Sequence, residues 1–329
     1  MKVLITGGAG YIGSTVASAC EDAGHDVVIL DDFSTGRREF IGERPLYEGD
    51  IADDSLLDRL LREQRIDAVV HCAAKIIVPE SVSKPLAYYE NNVAKTVALL
   101  AALQRNGVER FLFSSSASIY APDENFVVTE DSPLQPGSPY ARTKFMVELI
   151  LEDFTRASDV RVASLRYFNP IGTDPKLRSG QQLEKPSHVL AKLLEAWVNK
   201  ETFTVTGVDW PTRDGSGIRD FIHVWDLARA HVAALEHFDE ATATDPYQVF
   251  NIGTGNGVTV KELAASFEKI TGDPLKVRFG DPRPGDVAGV YTVSTKAKDV
   301  LGWEAELTET DAVRDAIAWL PVRKEKLGY

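Results

Sequence analysis

Two cysteines among 329 residues, Cys20 and Cys72, exclude a disulfide framework and suit a reducing compartment. Basic charge is also short. The 36 Lys and Arg face 49 Asp and Glu, a formal balance of −13. Such a surface argues against general affinity for nucleic acid or anionic membrane, so a phosphorylated ligand has to meet local positive charge or a helix N-terminus. Nowhere does an apolar run approach the ~18 residues of a membrane span. Met1 to Thr6 has neither the charged start nor the long apolar core of a secretory signal. These absences set the expectation of a soluble, cytoplasmic protein. Histidines are few, and neither His223 nor His231 has spaced partners, so both read as structural and no metal site is expected. Internal repeats and low-complexity tails are missing as well.

What remains is an alternation of short apolar runs and helical patterns. Lys2–Thr6 reads as a buried strand ended by glycine, followed by a helix from Tyr11 to Ala23 that Gly24 stops. Val27–Leu30 is the next strand, ending on Asp31 and Asp32. Apolar runs at Ala68–His71, Phe111–Phe113 and Val162–Arg166 alternate with helical patterns at Ser55–Gln64, Tyr88–Arg105 and Tyr140–Arg156. That repetition predicts an α/β fold with a doubly wound parallel sheet. After Asn169-Pro170 the chain turns polar and rich in Pro, Gly, Lys and Ser. The expected division is a dinucleotide-binding domain over 1–169 and a smaller α/β lobe over 170–329, with residues 218–252 returning to the first.

The glycine turn Gly7-Gly8-Ala9-Gly10-Tyr11-Ile12-Gly13 matches G-x-G-x-x-G. It follows a strand, opens a helix, and has an acid after the second strand, as a dinucleotide site requires. Asp31 would bond the ribose hydroxyls and repel a 2′-phosphate, so NAD is favoured over NADP. Arg37 and Arg38 point the other way, and Asp31 with Asp32 should outweigh them. Asp50 and Ile51, after a third strand, would border the adenine.

Tyr140 and Lys144 are four residues apart and share one helix face. An ammonium beside the phenol favours phenolate, so a group with an ordinary pKa of about 10 could act as a base near neutrality. A serine from the run Ser114-Ser115-Ser116 could hold a substrate hydroxyl against that base. Together with the dinucleotide these residues describe hydride transfer at a sugar or alcohol carbon.

Further segments carry a resemblance. They are Glu80-Ser81-Val82, Tyr89-Glu90-Asn91-Asn92-Val93, Phe113–Ala117, Arg166–Pro170, Pro211–Gly215 and Arg219–Val224. With the glycine turn, they make the chain resemble the extended short-chain dehydrogenase/reductase family (a Rossmann fold), closest to its UDP-sugar 4-epimerases. The resemblance implies an NAD-dependent epimerisation of UDP-glucose and UDP-galactose through a transient 4-ketose, in a homodimer built from the helices near Tyr88–Arg105 and Tyr140–Arg156. It makes Tyr140 the base and acid, Lys144 the residue that tunes it and holds the nicotinamide ribose, and Ser116 the residue that orients O4. Gly7, Gly10, Tyr11, Ile12, Gly13, Asn91 and Phe168 would border the cofactor. Asn169, His188, Arg219, Arg283, Asp286 and Val290 would face the nucleotide sugar, the arginines meeting its diphosphate.

Departures from the family pattern include Ile76 where a lysine stands, with Lys75 one place earlier, and Ala121 for glycine. His188 replaces Asn, Thr206 an aromatic residue and Val290 a tyrosine. Trp210 could replace the aromatic of position 206. No carboxylate follows Ser116, which argues against dehydration. Alternatives are an epimerase of another UDP-sugar, a nucleotide-sugar reductase, and an NAD-sensing regulator. A regulator has no use for an intact Ser116, Tyr140 and Lys144.

Overall fold

The computed structural model describes residues 1–121, 123–184, 186, 188–282 and 287–329. Seven parallel strands form the main sheet, in the spatial order Tyr247–Ile252, Arg161–Tyr167, Arg110–Ser114, Ala68–His71, Lys2–Thr6, Asp26–Asp31, Leu46–Glu48. The order reverses beside Lys2–Thr6, and ligands of open α/β sheets bind in the crevice at such a point, beyond the carboxyl ends of the strands.

Alternate residues of each strand feed opposite layers. Val3 and Ile5 pack with helices Tyr11–Asp22 and Val224–Glu236 through Val16, Leu227 and Ala230. Leu4, Val28 and Val69 pack with Leu57, Leu60, Leu99 and Leu151 from the helices on the other face. Burial on both faces is what makes these strands continuous apolar runs rather than alternating ones.

Residues 218–252 divide between two sheets. Tyr247–Ile252 pairs with Arg161–Tyr167 in the main sheet, and Val224–Glu236 lies on that sheet's face. Ile218–His223 instead joins Asn169–Ile171 in parallel and Gly257–Thr259 antiparallel, in a separate three-stranded sheet. The chain leaves the main sheet at Phe168. A second core, with Leu193, Phe203, Phe221, Phe267 and Ala312, supports the smaller sheet. Among the described residues no helix is long and apolar enough to cross a membrane.

Candidate active site

The glycine turn is shaped by close approach. Gly7 has φ +71°, and a Cβ there would lie 2.7 Å from the Ala73 nitrogen; at Gly13 it would lie 2.2 Å from the Gly7 carbonyl oxygen. Helix Tyr11–Asp22 begins with no side-chain cap and no acid in its first turn. Its first N–H groups and positive dipole end therefore suit an anion. The residues present fit a dinucleotide pyrophosphate. The Tyr11 hydroxyl points elsewhere, donating to the Gly172 carbonyl at 2.7 Å and tying the turn to the segment that follows strand Asn169–Ile171.

Asp31 closes the second strand almost fully buried. Its carboxylate accepts the Ala9 N–H at 2.9 Å and the Phe33 N–H at 2.8 Å. Burial raises its pKa, while these two donors oppose the rise. Asp32 is exposed and accepts from Ser34 N at 2.8 Å. Asp50 is ion-paired with Lys95, and Ile51 beside it is buried.

Ser138 caps helix Pro139–Arg156, its hydroxyl accepting the Ala141 N–H at 3.2 Å, with Pro139 in the first turn. The buried stripe Tyr140, Thr143, Lys144, Val147, Leu151 follows helical spacing, so Tyr140 and Lys144 enter the protein on one side. Burial raises the Tyr140 phenol above its ordinary pKa, opposed by the Ser116 hydroxyl, which itself donates to the Ser118 hydroxyl at 2.9 Å. The Lys144 ammonium donates to the Ser114 carbonyl at 2.8 Å and sits 4.8 Å from the Phe113 ring centre. Burial pushes Lys144 itself down to about 8.

Two groups of residues behind the site have members in the quoted segments, Asn92 and Arg166, to which the sequence assigns no role. The first centres on Asn92, in a π-helical turn over Glu90–Ala94. Its amide accepts Lys75 N at 2.8 Å and donates to the Lys75 carbonyl at 2.9 Å and the Thr143 hydroxyl at 3.1 Å. Asn92 thus joins the loop after strand Ala68–His71 to helix Pro139–Arg156, and the Asn91 amide donates to it at 3.0 Å. The doubled asparagine is the available signal. The second is the buried pair Arg166–Glu148, 2.6 Å apart, whose carboxylate also accepts the Ser115 hydroxyl at 2.5 Å. Arg166 donates to the Tyr120 hydroxyl at 3.0 Å, which donates to Asn251 at 2.6 Å. This network fixes the strand end that carries Ser116. An arginine inside an apolar strand pattern is its signal.

Histidines 223 and 231 act structurally. His223 accepts the Trp225 N–H at 3.0 Å, and His231 bridges the Leu227 carbonyl and the Ser114 hydroxyl. Cys72 lies 3.3 Å from that same hydroxyl.

Phe168, expected beside the cofactor, packs with Ala117, Tyr120 and Val128, and Val290, expected beside the sugar, rests against this cluster. Asn169 begins the strand beside Phe221. His188 precedes helix Val189–Asn199 and borders a cavity of about 470 Å³ with Tyr11, Gly172 and Trp319. The Arg219 guanidinium donates to the carbonyls of Ile218 at 2.7 Å and Ala288 at 2.6 Å. Gly289, at φ +113°, allows that approach, since a Cβ there would lie 2.2 Å from the guanidinium. Asp220 is held by Thr254, Gly255 and Thr292, and its burial raises its pKa to about 6. Arg283 and Asp286 lie outside the described residues.

A glycine cradle at the sheet's switch point, with an acid on the next strand and a Ser–Tyr–Lys set a few strands away, defines a nucleotide-dependent enzyme that moves hydride and proton together. Residues 3–253 match the NAD dependent epimerase/dehydratase family, and the chain belongs to that family. It is 41% identical to the UDP-glucose 4-epimerase of Azospirillum brasilense over 99% of this chain and 94% of that protein. Identity to the Bacillus subtilis enzyme of the same name is also 41%, over 97% and 96%. Among solved structures, the UDP-glucose 4-epimerase of Stenotrophomonas maltophila, with bound NAD and formylated UDP-arabinopyranose, superposes with a TM-score of 0.94 at 35% identity, covering 99% of both chains. The Bifidobacterium longum enzyme in complex with NAD+ and UDP gives 0.91 at 34%, covering 98% of each.

Proposed function

We propose that this chain interconverts UDP-glucose and UDP-galactose by NAD-dependent epimerisation at C4. The observation that carries the reading is the buried helix face shared by Tyr140 and Lys144, with Ser116 just past the end of strand Arg110–Ser114 and the glycine cradle at the same end of the sheet. When bound, NAD supplies the acceptor and donor of the C4 hydride. The protein's own residues move the proton. Ser116 holds O4 against the phenol, and Tyr140 takes the O4 proton and later gives it back. Lys144, now on the Ser114 carbonyl, is the group to hold the nicotinamide ribose and to favour phenolate once drawn toward it. The 4-ketose formed in between turns over in the pocket, so net redox is zero.

Residues 1–169 hold the cofactor in this reading, with Gly7, Gly10 and Gly13, the first-turn N–H groups of Tyr11 and Ile12, and Asp31 as its contacts. Residues 170–329 take the nucleotide sugar, Arg219 toward the diphosphate. Trp210 is the aromatic to stack on uracil; its indole nitrogen would lie 2.3 Å from a Cβ on Gly207, next to Thr206. A homodimer is supported by apolar side chains left in solvent on and beside the helices named for it. Leu86 is 81% exposed, and Val97, Met146 and Leu149 are exposed as well. Two free cysteines fit a cytoplasmic setting.

Incubating the protein with each UDP-sugar and separating the products by chromatography tests the reading. Tyr140→Phe should cut turnover by about 10²–10⁴, the usual worth of a general acid-base group, while folding and NAD binding persist. Near-normal turnover in Tyr140→Phe would overturn it.

A further inference from the structure

Arg37 is the residue that could admit a 2′-phosphate, and it starts close to Asp31. Its backbone N–H donates to the Ala9 carbonyl at 2.9 Å, within the glycine turn. The preceding Gly36 touches the Asp31 carboxylate so closely that a Cβ there would lie 2.7 Å from Asp31 Oδ1. The Arg37 side chain therefore starts one residue from the carboxylate that the function proposed above assigns to the adenosine ribose.

Its direction is set elsewhere. Arg37 Nε donates to the Tyr329 hydroxyl at 2.9 Å, and the guanidinium lies 5.7 Å from the centre of that ring. Tyr329 is itself held. Its hydroxyl donates to the Gln182 carbonyl at 2.5 Å, and Arg323 covers its ring at 5.0 Å. Arg323 in turn donates to the Leu183 carbonyl at 2.7 Å, and the Gln182 amide reaches back to the Thr35 carbonyl at 3.3 Å. The neighbouring Arg38 is engaged too, by Glu48 at 2.5 Å and by the Phe33 ring at 4.2 Å.

We propose that Tyr329 is a cofactor-specificity residue, which holds the Arg37 guanidinium off the 2′ position of the adenosine ribose and so helps to select NAD over NADP. Asp31 repels a 2′-phosphate and Tyr329 withholds the cation that would neutralise it. An arginine released from Tyr329 can pair with the phosphate through charge-assisted hydrogen bonds, stronger than the phenol bond it gives up. The proposal rests on Asp31 facing the ribose, as in the function proposed above.

The test is direct binding of NAD and of NADP to the full chain freed of nucleotide, followed by calorimetry. Tyr329→Ala should raise the affinity for NADP relative to NAD by about tenfold, the worth of one charge-assisted hydrogen bond from Arg37 to the phosphate. Tyr329→Phe keeps the ring and loses the hydroxyl, and should give a smaller rise in the same direction. Adding Arg37→Ala to either variant should abolish the rise, and higher salt should shrink it. An unchanged NADP-to-NAD ratio in Tyr329→Phe and Tyr329→Ala, or a rise that survives Arg37→Ala, overturns the proposal. Should Tyr329→Ala fail to fold, Tyr329→Phe with its Arg37→Ala control decides. A separate arm, Asp31→Ala, reports on the underlying reading: if it leaves NAD affinity unchanged, Asp31 does not face the ribose.

Discussion

Lys144→Met should make the protein a poorer enzyme and change how its stability depends on pH. The lysine is 3% exposed and donates to the Ser114 carbonyl at 2.8 Å, yet burial pushes it from 10.5 down to about 8. That displacement corresponds to about 3 kcal/mol of penalty on the charged form. The folded value lies below the unfolded one, so between about 8 and 10.5 the unfolded chain binds more protons and stability rises with pH. Below about 8 the whole penalty is present. Methionine removes the charge and keeps much of the apolar stem, at the loss of one hydrogen bond worth about 1 kcal/mol and an unpaired Ser114 carbonyl. The stability difference between Lys144→Met and the parent should therefore fall by about 2 kcal/mol between about pH 7 and about pH 9.5. Urea unfolding at a series of pH values measures it, on chains freed of nucleotide because a bound ligand adds its own stabilisation. A difference that stays flat or grows across that range would refute the reasoning.

Other side chains carry three further expectations. Glu148→Ala should destabilise by about 3–5 kcal/mol, because it strands the buried Arg166 charge, whereas a joint Glu148→Leu and Arg166→Met change should cost far less; thermal and urea melts compare them. Leu86→Glu with Met146→Glu should convert a dimer into monomers by sedimentation at micromolar concentration, since both side chains are exposed where the two helical segments are proposed to pair. Val290 lacks a ring where some epimerases have tyrosine, so the parent should act on UDP-N-acetylglucosamine as well as UDP-glucose. Val290→Tyr should lose the acetylated sugar alone, the overpacking being worth about 1–3 kcal/mol; product chromatography with both sugars checks it.

The sequence by itself determined what local chemistry determines. The run Lys2–Thr6, the glycines after it and the acid at Asp31 specify a strand, a turn and a helix whose geometry admits few alternatives, because Gly7 and Gly13 sit where any side chain would collide with backbone. Ser138-Pro139 starts a helix, and spacing of four puts Tyr140 and Lys144 on one face of it. Those inferences need only neighbours in the chain. Tertiary structure decided what depends on distant partners. Whether the Lys144 ammonium points at the phenol or at the Ser114 carbonyl is set by the strand opposite, and burial sets the direction of both pKa shifts. Ile218–His223 has the pattern of a core strand, but no periodicity says which sheet it joins; pairing with Asn169–Ile171 does. Asn92 outranks Asn91 as the structural link because a π-turn aims its amide at Lys75 and Thr143. Tyr329 and Arg37 stand 292 residues apart. Only the tertiary fold brings a phenol to that arginine, since pairings at such sequence separation leave no trace in spacing or composition.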